Sequence, residues 1–319
     1  MDKKTLELVK RNSTEIINED KLNDIKNPVV YCGYETSGEI HLGHLVTITK
    51  LLDLQNAGFK VKVLFADWHT WLNKKGDWYF INEQVKIWKK GFKAAGLDKA
   101  EFVVGSSFQR NPEYFDDVLT MALETTINRA IRSMQMVARD IENAKVSQVF
   151  YPFMQIADMK HLKVNVVASG IEQRKIHMMG ADGLLKKINY ETPVFIHTPL
   201  ISSLKGPGSK MSSSDASSLI SIRDSDEEII KKIKKAHCLP KVVEDNPVLQ
   251  IAELIVFPRL GKRKFEVKRD KKFGGDLSFK TYEELKQCFV NGDLHPLDLK
   301  NSVSNYLIEI ITPIRKSFK

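Results

Sequence analysis

The chain has 319 residues, 42% of them hydrophobic and 28% charged, which excludes wholesale disorder and fibrous repeats and leaves room for two domains. Its longest apolar runs, such as 164–168, are strand-length, and the start (Asp2, Lys3, Lys4, then Glu7, Glu15, Glu19 and Asp20) has neither a signal-peptide nor a transit-peptide pattern. The formal charge of +9 is compatible with a polyanionic partner, and three widely spaced cysteines (Cys32, Cys238, Cys288) fit a reducing cytoplasm better than a disulfide framework or zinc module.

Residues 1–26 read as an amphipathic helix carrying Leu6, Val9, Ile16 and Ile17. The run 28–33 predicts a buried strand, 42–57 a helix closed by Gly58, and 61–66 a strand ending at Asp67. A helix over 83–95, closed by Gly96, and a strand over 101–104 follow. This alternation predicts βαβ units around a parallel sheet, an α/β fold of Rossmann-like type. From Pro112 to about Asn143 a helical insertion interrupts it, and strands resume at 164–168 and 194–197. Ligands of such sheets sit beyond the carboxyl ends of the strands, here Tyr31 to Gly33, Asp67, Gly105 to Ser106, Ser169 to Gly170 and His197.

Residues 205–218 have the small, polar composition of a linker, and a domain boundary is placed there. Beyond it the pattern turns mostly helical. Ser225 with Glu228 forms a capping box opening a helix over 226–237, Thr281 with Glu284 a second, and Pro296 opens a last helix. A faint strand pattern covers 265–279.

Two motifs carry chemistry. His41-Leu-Gly-His44 follows the first predicted strand, where a helix N-terminus offers unpaired N–H groups to phosphate, and Gly43 permits close approach of a nucleotide. Lys210-Met-Ser-Ser-Ser214 lies in the serine-rich segment, where a lysine can meet charge developing on a phosphoryl group. No third ligand is spaced near the histidines, so phosphate is favoured over a metal. Tyr151, Gln155 and Asp158 fall four and three apart, on one face of a helix flanked by Pro152, Phe153, Met154 and Ile156.

HxGH paired with KMSSS is the signature of class I aminoacyl-tRNA synthetases. With Tyr31-Cys-Gly-Tyr-Glu-Thr-Ser-Gly38, Ala66-Asp67, the stretch 151–158, Gly170-Ile-Glu-Gln-Arg-Lys-Ile-His177, Lys272-Phe-Gly-Gly-Asp276 and the stretch 295–301, the whole chain resembles the archaeal and eukaryotic type of tyrosyl-tRNA synthetase. The resemblance implies a Rossmann-like catalytic domain over 1–204 with the insertion at about 112–145, a mobile KMSSS loop and linker over 205–223, and a mostly α-helical anticodon-binding domain over 224–319. It implies a cytoplasmic homodimer that joins L-tyrosine, with ATP and Mg²⁺, to the 3′ end of tRNA(Tyr) through tyrosyl-adenylate.

Residue by residue, the resemblance gives His41, His44 and Lys210 the charge stabilisation at the α-phosphate, and Gly33, Gly43, Met211, Ser212 and Ser213 the nucleotide. Tyr151, Gln155 and Gln173 hold the α-amino group, and Tyr31 and Asp158 the phenol. Leu64, Ala66, His69 and Gln109 line the pocket. Arg132, Arg174 and Lys175 lie near the tRNA acceptor end, and Phe273, His295 and Asp298 read the first anticodon base. Two departures stand out: Ser213 replaces a second loop lysine, and Thr36 replaces a proline. A tryptophan–tRNA ligase and a non-catalytic RNA-binding paralogue are the competing readings.

Overall fold

Residues 1–136, 143, 145–208, 211 and 218–318 are described in a computed structural model of the chain. Six strands make the main sheet: β1 (Glu15–Ile17), β2 (Val29–Tyr34), β3 (Lys60–Phe65), β4 (Glu101–Val104), β5 (Val166–Gly170) and β6 (Val194–Thr198). Their spatial order is β1-β6-β5-β2-β3-β4. All neighbours are parallel except β1, which runs antiparallel to β6 with Ile16 opposite Ile196. Every residue of β5 and β6 is buried, as expected of strands covered on both faces. The chain leaves β2 towards β3 and β4, then returns to β5 on the other side of β2. The order therefore switches between β2 and β5, the place where open α/β sheets bind ligands.

The first 26 residues are not one helix. The helix Lys3–Lys10 ends early, and Ile16 and Ile17 lie on the edge strand β1. Their spacing from Val9 imitates a helical face, but the partner that makes them a strand is β6, far along the chain. The ammonium of Lys50, 1% exposed, donates to the carbonyls of Val9 and Arg11 (2.7 Å to the latter) and so caps the end of that first helix.

The chain packs into two compact units, one of Met1–Gly38, Lys50–Lys89 and Leu97–Pro199, the other of Glu39–Thr49, Lys90–Gly96 and Leu200–Lys319. The first unit's core lies beneath the insertion: Tyr114, Val118 and Met121 of the helix Pro112–Leu123 pack with Met154, Ile156 and Ala157 of the helix Tyr151–His161. In the second, the helices Asp226–Lys235 and Pro296–Lys316 bury Ile229 and Ile233 with Leu299, Val303, Leu307 and Ile311. Both expected helix starts carry Ser225 or Thr281 as caps. At the second, however, Glu284 reaches the N–H of Lys280 rather than that of Thr281, so the reciprocal bond is shifted by one residue. The faint strand pattern resolves into a hairpin of β7 (Phe265–Val267) and β8 (Leu277–Phe279).

Candidate active site

At the switch between β2 and β5 lies a pocket in the first unit. Tyr31 and Gly33 enter it from β2, Leu64 and Ala66 from β3 and its end, and Tyr151, Gln155 and Asp158 from one helix face. Asp67 sets the neighbouring turn: its Oδ1 accepts from the N–H groups of Trp68 and Ser106, both at 2.8 Å, tying the end of β3 to the end of β4.

Asp158 is 1% exposed, and burial pushes its carboxyl up to about 7, although hydrogen bonds from Gln109 and Tyr114 oppose the shift. Oδ1 accepts from Gln109 Nε2 at 2.7 Å and lies 2.9 Å from the Tyr114 hydroxyl. Gln109 is therefore not a wall residue as expected; it is fully buried and holds Asp158 in place. Tyr114 has no signal in the sequence, because it stands in the insertion with nothing local to distinguish it from core.

The other oxygen, Oδ2, stands 3.8 Å from His69 Nε2. Burial drives His69 down to about 3, so its ring is neutral. Its Nδ1 lies 3.4 Å from the Gln109 amide nitrogen, which can only donate, so the ring hydrogen sits on Nε2. That N–H is buried and has no partner. An acceptor and a donor, too far apart to bond each other, thus stand side by side on the pocket wall, where one hydroxyl can engage both. Tyr31 lies on the same pocket lining, with its hydroxyl donating to the carbonyl of Gln155 at 3.3 Å.

Elsewhere on the pocket lining, Gln155 Nε2 donates to Gln173 Oε1 at 3.2 Å and lies 3.3 Å from His177 Nε2. The side-chain carbonyl oxygen of Gln155 is buried with no donor. Tyr151 also lines the pocket, its ring edge-on to His69 with centroids 4.8 Å apart.

The HxGH motif stands in the second unit. His41 Nδ1 accepts the N–H of Gly43, and His44 Nδ1 accepts the N–H of His41, both at 3.1 Å. The rings lie 4.0 Å apart and are neutral, since burial pushes His41 down to about 4 and His44 well below its ordinary value. With Nδ1 accepting, each ring carries its hydrogen on Nε2 and is a neutral donor. Gly43 has a reason the sequence did not show: a Cβ there would meet His41 Cε1 at 2.9 Å, so glycine makes room for the folded-back ring.

Ile40 and Leu42 pair with the segment beyond the serine-rich stretch, through Ile222 N–H to Ile40 O at 3.0 Å and Leu42 N–H to Ile220 O at 3.1 Å. Leu204 N–H bonds Ser218 O at 3.0 Å, and Met211 N–H bonds Ile201 O at 3.4 Å. Lys210, Ser212 and Ser213 lie outside the described residues, whereas Met211 is buried. Thr36, which stands where the family has proline, is fully buried with an unpartnered hydroxyl. Among the described residues, no three His, Cys, Asp or Glu side chains stand together as a metal site.

Arg132, Arg174 and Lys175 are on the surface of the first unit. Arg132 donates to Asn128 O at 3.3 Å, Arg174 to Glu15 at 2.5 Å, and Lys175 to Gln135 at 2.7 Å. In the second unit Phe273 is 63% exposed, beneath the ammonium of Lys272. His295 caps the last helix, its Nδ1 accepting Leu297 N–H at 3.1 Å, with Asp298 in the first turn. Arg269 brings these stretches together by donating to Gly275 O at 2.5 Å and Asp293 O at 2.7 Å. No local pattern signals that clamp.

The family model of the tRNA synthetases class I (W and Y) matches residues 23–312. The chain is 48% identical to the tyrosine–tRNA ligase of Archaeoglobus fulgidus over 317 residues, 98% of this chain and 96% of that one. It is 49% identical to that of Methanoculleus marisnigri over 311 residues, covering 97% and 96%. The tyrosyl-tRNA synthetase from Archaeoglobus fulgidus, solved in complex with L-tyrosine, has the same fold with a TM-score of 0.95 at 47% identity over 99% of both chains. Six strands in this order, an intact HxGH turn and matches along nearly the whole length lead to one conclusion: the chain belongs to the class I tRNA synthetases (W and Y).

Proposed function

We propose that the chain is a tyrosine–tRNA ligase, an assignment carried by the buried acceptor and donor Asp158 Oδ2 and His69 Nε2, 3.8 Å apart on the pocket wall, which one hydroxyl lying beside them can engage together. A phenol donates to the first and accepts from the second. Phenylalanine leaves both unpaired, a loss that rejects it strongly without editing; tyrosyl-tRNA synthetases are the standard example of such discrimination. An indole has no oxygen to accept from His69, which disfavours the tryptophan reading. The orphan carbonyl of Gln155 receives the ammonium, with Gln173 bonded to its amide and Tyr151 on the same pocket lining.

The tyrosine carboxylate attacks the α-phosphorus of ATP, the bond to pyrophosphate breaks, and tyrosyl-adenylate forms. A ribose hydroxyl at the tRNA 3′ end then attacks the acyl carbon, and AMP leaves. Because the substrate carboxylate is the nucleophile, no protein base is needed, and catalysis is positioning plus stabilisation of phosphate charge. His41 and His44 serve as neutral Nε2–H donors and Lys210 as the cation, while Gly33, Gly43, Met211, Ser212 and Ser213 bind the nucleotide. Bound with ATP, Mg²⁺ would supply positive charge to the phosphates, and its ligands would be phosphate oxygens and water rather than a protein cluster, since no such cluster stands among the described residues. Intact His41, His44 and Lys210 argue against a non-catalytic paralogue.

Arg132, Arg174 and Lys175 are assigned to the tRNA acceptor end, and Phe273, His295 and Asp298 to the first anticodon base. The division into a catalytic domain (1–204), loop and linker (205–223) and anticodon-binding domain (224–319) belongs to the same reading, as does a cytoplasmic location. Exposed Phe115, Leu119, Leu123 and Ile127, an apolar stripe on the insertion, support a homodimer formed there. Pyrophosphate exchange into ATP, run with tyrosine and with tryptophan, tests the assignment. Exchange with tyrosine alone is expected; exchange with tryptophan, or with neither, overturns it.

A further inference from the structure

A row of side chains runs from the surface of β1 to the pocket. Arg174 Nε donates to Glu15 Oε1 at 2.5 Å, and His197 Nδ1 lies 2.8 Å from the same oxygen. His197 Nε2 is 2.9 Å from His177 Nδ1, and His177 Nε2 is 3.3 Å from Gln155 Nε2. Both imidazoles are fully buried and stack with Phe195, which fixes their planes.

The hydrogens along this row follow from its outer end. Desolvation is the largest single influence on Glu15, but the hydrogen bonds and charges of Arg174 and His197 together outweigh it and hold the carboxyl below its ordinary value, ionised and able only to accept. Burial keeps both rings neutral, with one hydrogen each. His197 therefore carries its hydrogen on Nδ1 and accepts on Nε2. His177 in turn gives Nδ1–H to His197 and accepts on Nε2, where only the NH₂ of Gln155 can donate.

A second row agrees. Gln173 Nε2 donates to Glu172 Oε1 at 3.4 Å, which turns Gln173 Oε1 towards the same Gln155 nitrogen. Both amide hydrogens of Gln155 are thereby used, and its carbonyl is left as the buried acceptor without a donor.

We propose that Glu15, His197 and His177 are positioning residues, which fix the Gln155 amide so that its oxygen rather than its NH₂ meets the substrate ammonium. Reversal of that amide would set two N–H groups against a cation. The inference rests on the tyrosine reading of the pocket, and the test separates the two.

Calorimetry with L-tyrosine and with 3-(4-hydroxyphenyl)propionate, the same molecule without its ammonium, reads the effect directly. Glu15→Ala is expected to weaken tyrosine about tenfold and to leave the propionate unchanged. Glu15→Gln, whose carbonyl can still accept from His197, is expected to restore tyrosine binding. Equal losses for both ligands, or none for either, overturn the relay. A wild-type protein that binds tyrosine no better than the propionate brings down the pocket reading, and the relay with it. Nitrogen-15 spectra of the unaltered protein give a check that needs no variant. Both rings should be protonated at Nδ1, and an Nε2–H on either defeats the proposal.

Discussion

The hydroxyl of Tyr114 lies 2.9 Å from Asp158 Oδ1, the oxygen that Gln109 also holds. Gln109 donates to that oxygen, and the single hydroxyl hydrogen of Tyr114 is shared between it and the Met154 carbonyl at 2.8 Å. These contacts restrain the carboxylate and leave Oδ2 to the substrate. Tyr114→Phe removes one of them without opening a cavity. Tyrosine affinity should fall roughly three- to tenfold, the net worth of one ordinary hydrogen bond, since the hydroxyl hydrogen is shared. The fold should survive, because the ring stays packed. Equilibrium binding of tyrosine checks this, and an unchanged affinity would take Tyr114 out of the site.

Asp158, pushed up to about 7 by burial, gives pH a definite sign. The phenol donates its hydrogen, so tyrosine binds the ionised carboxylate. Affinity should rise by up to about tenfold per pH unit below about 7 and level off above it. Stability of the ligand-free protein runs the opposite way. The folded carboxyl keeps a proton that the unfolded chain releases near its ordinary value of 3.8, so stability falls as pH rises from there towards about 7. Asp158→Asn should flatten that fall. Denaturant titrations across this window would show it, and identical slopes in both proteins would refute the shift.

Gly43→Ala places a methyl group 2.9 Å from His41 Cε1 and displaces a ring that is 7% exposed. The consequence should be confined to the nucleotide step. Pyrophosphate exchange is expected to fall by ~10–10², with tyrosine binding unaffected. Equal damage to both would mean that the substitution disturbs the fold.

Asp298→Ala should weaken aminoacylation through the tRNA and leave pyrophosphate exchange intact, because activation needs no tRNA. It should also blunt the preference for guanine at the first anticodon position, since a carboxylate accepts from guanine N1–H and its exocyclic amine together. Loss of both activities would make Asp298 an ordinary first-turn acid of the helix Pro296–Lys316.

How legible these features are depends on how local they are. The strand Glu101–Val104 and the cap at Ser225 follow from adjacent residues and can be read directly. So can the shared face of Tyr151, Gln155 and Asp158, since helical spacing alone produces it. β1 escapes such a reading because three residues of edge strand owe their conformation to β6, not to their own pattern. Tyr114 and Arg269 escape it for a similar reason, as does the contact between His177 and His197, although His197 is legible as a residue at a strand's carboxyl end. Each acts through a partner that the chain reaches only after folding, and none stands in a spacing that signals its role.

The hydrogen bond between Leu204 and Ser218 closes the serine-rich segment at its base, and the strand-like contacts of Ile220 and Ile222 hold the far side to Leu42 and Ile40. Peptide continuity across 205–217 is therefore not what keeps the two flanks together. A protease site engineered near residue 214 should yield a nicked molecule whose halves still elute as one, held by Leu219, Ile220 and Ile222, all buried. Lys210 would remain on the fragment that ends at the cut, attached at Met211 to Ile201. Backbone scission and catalytic loss would then be separable events, and the segment could be exchanged or lengthened as a cassette without dismantling the unit that carries it.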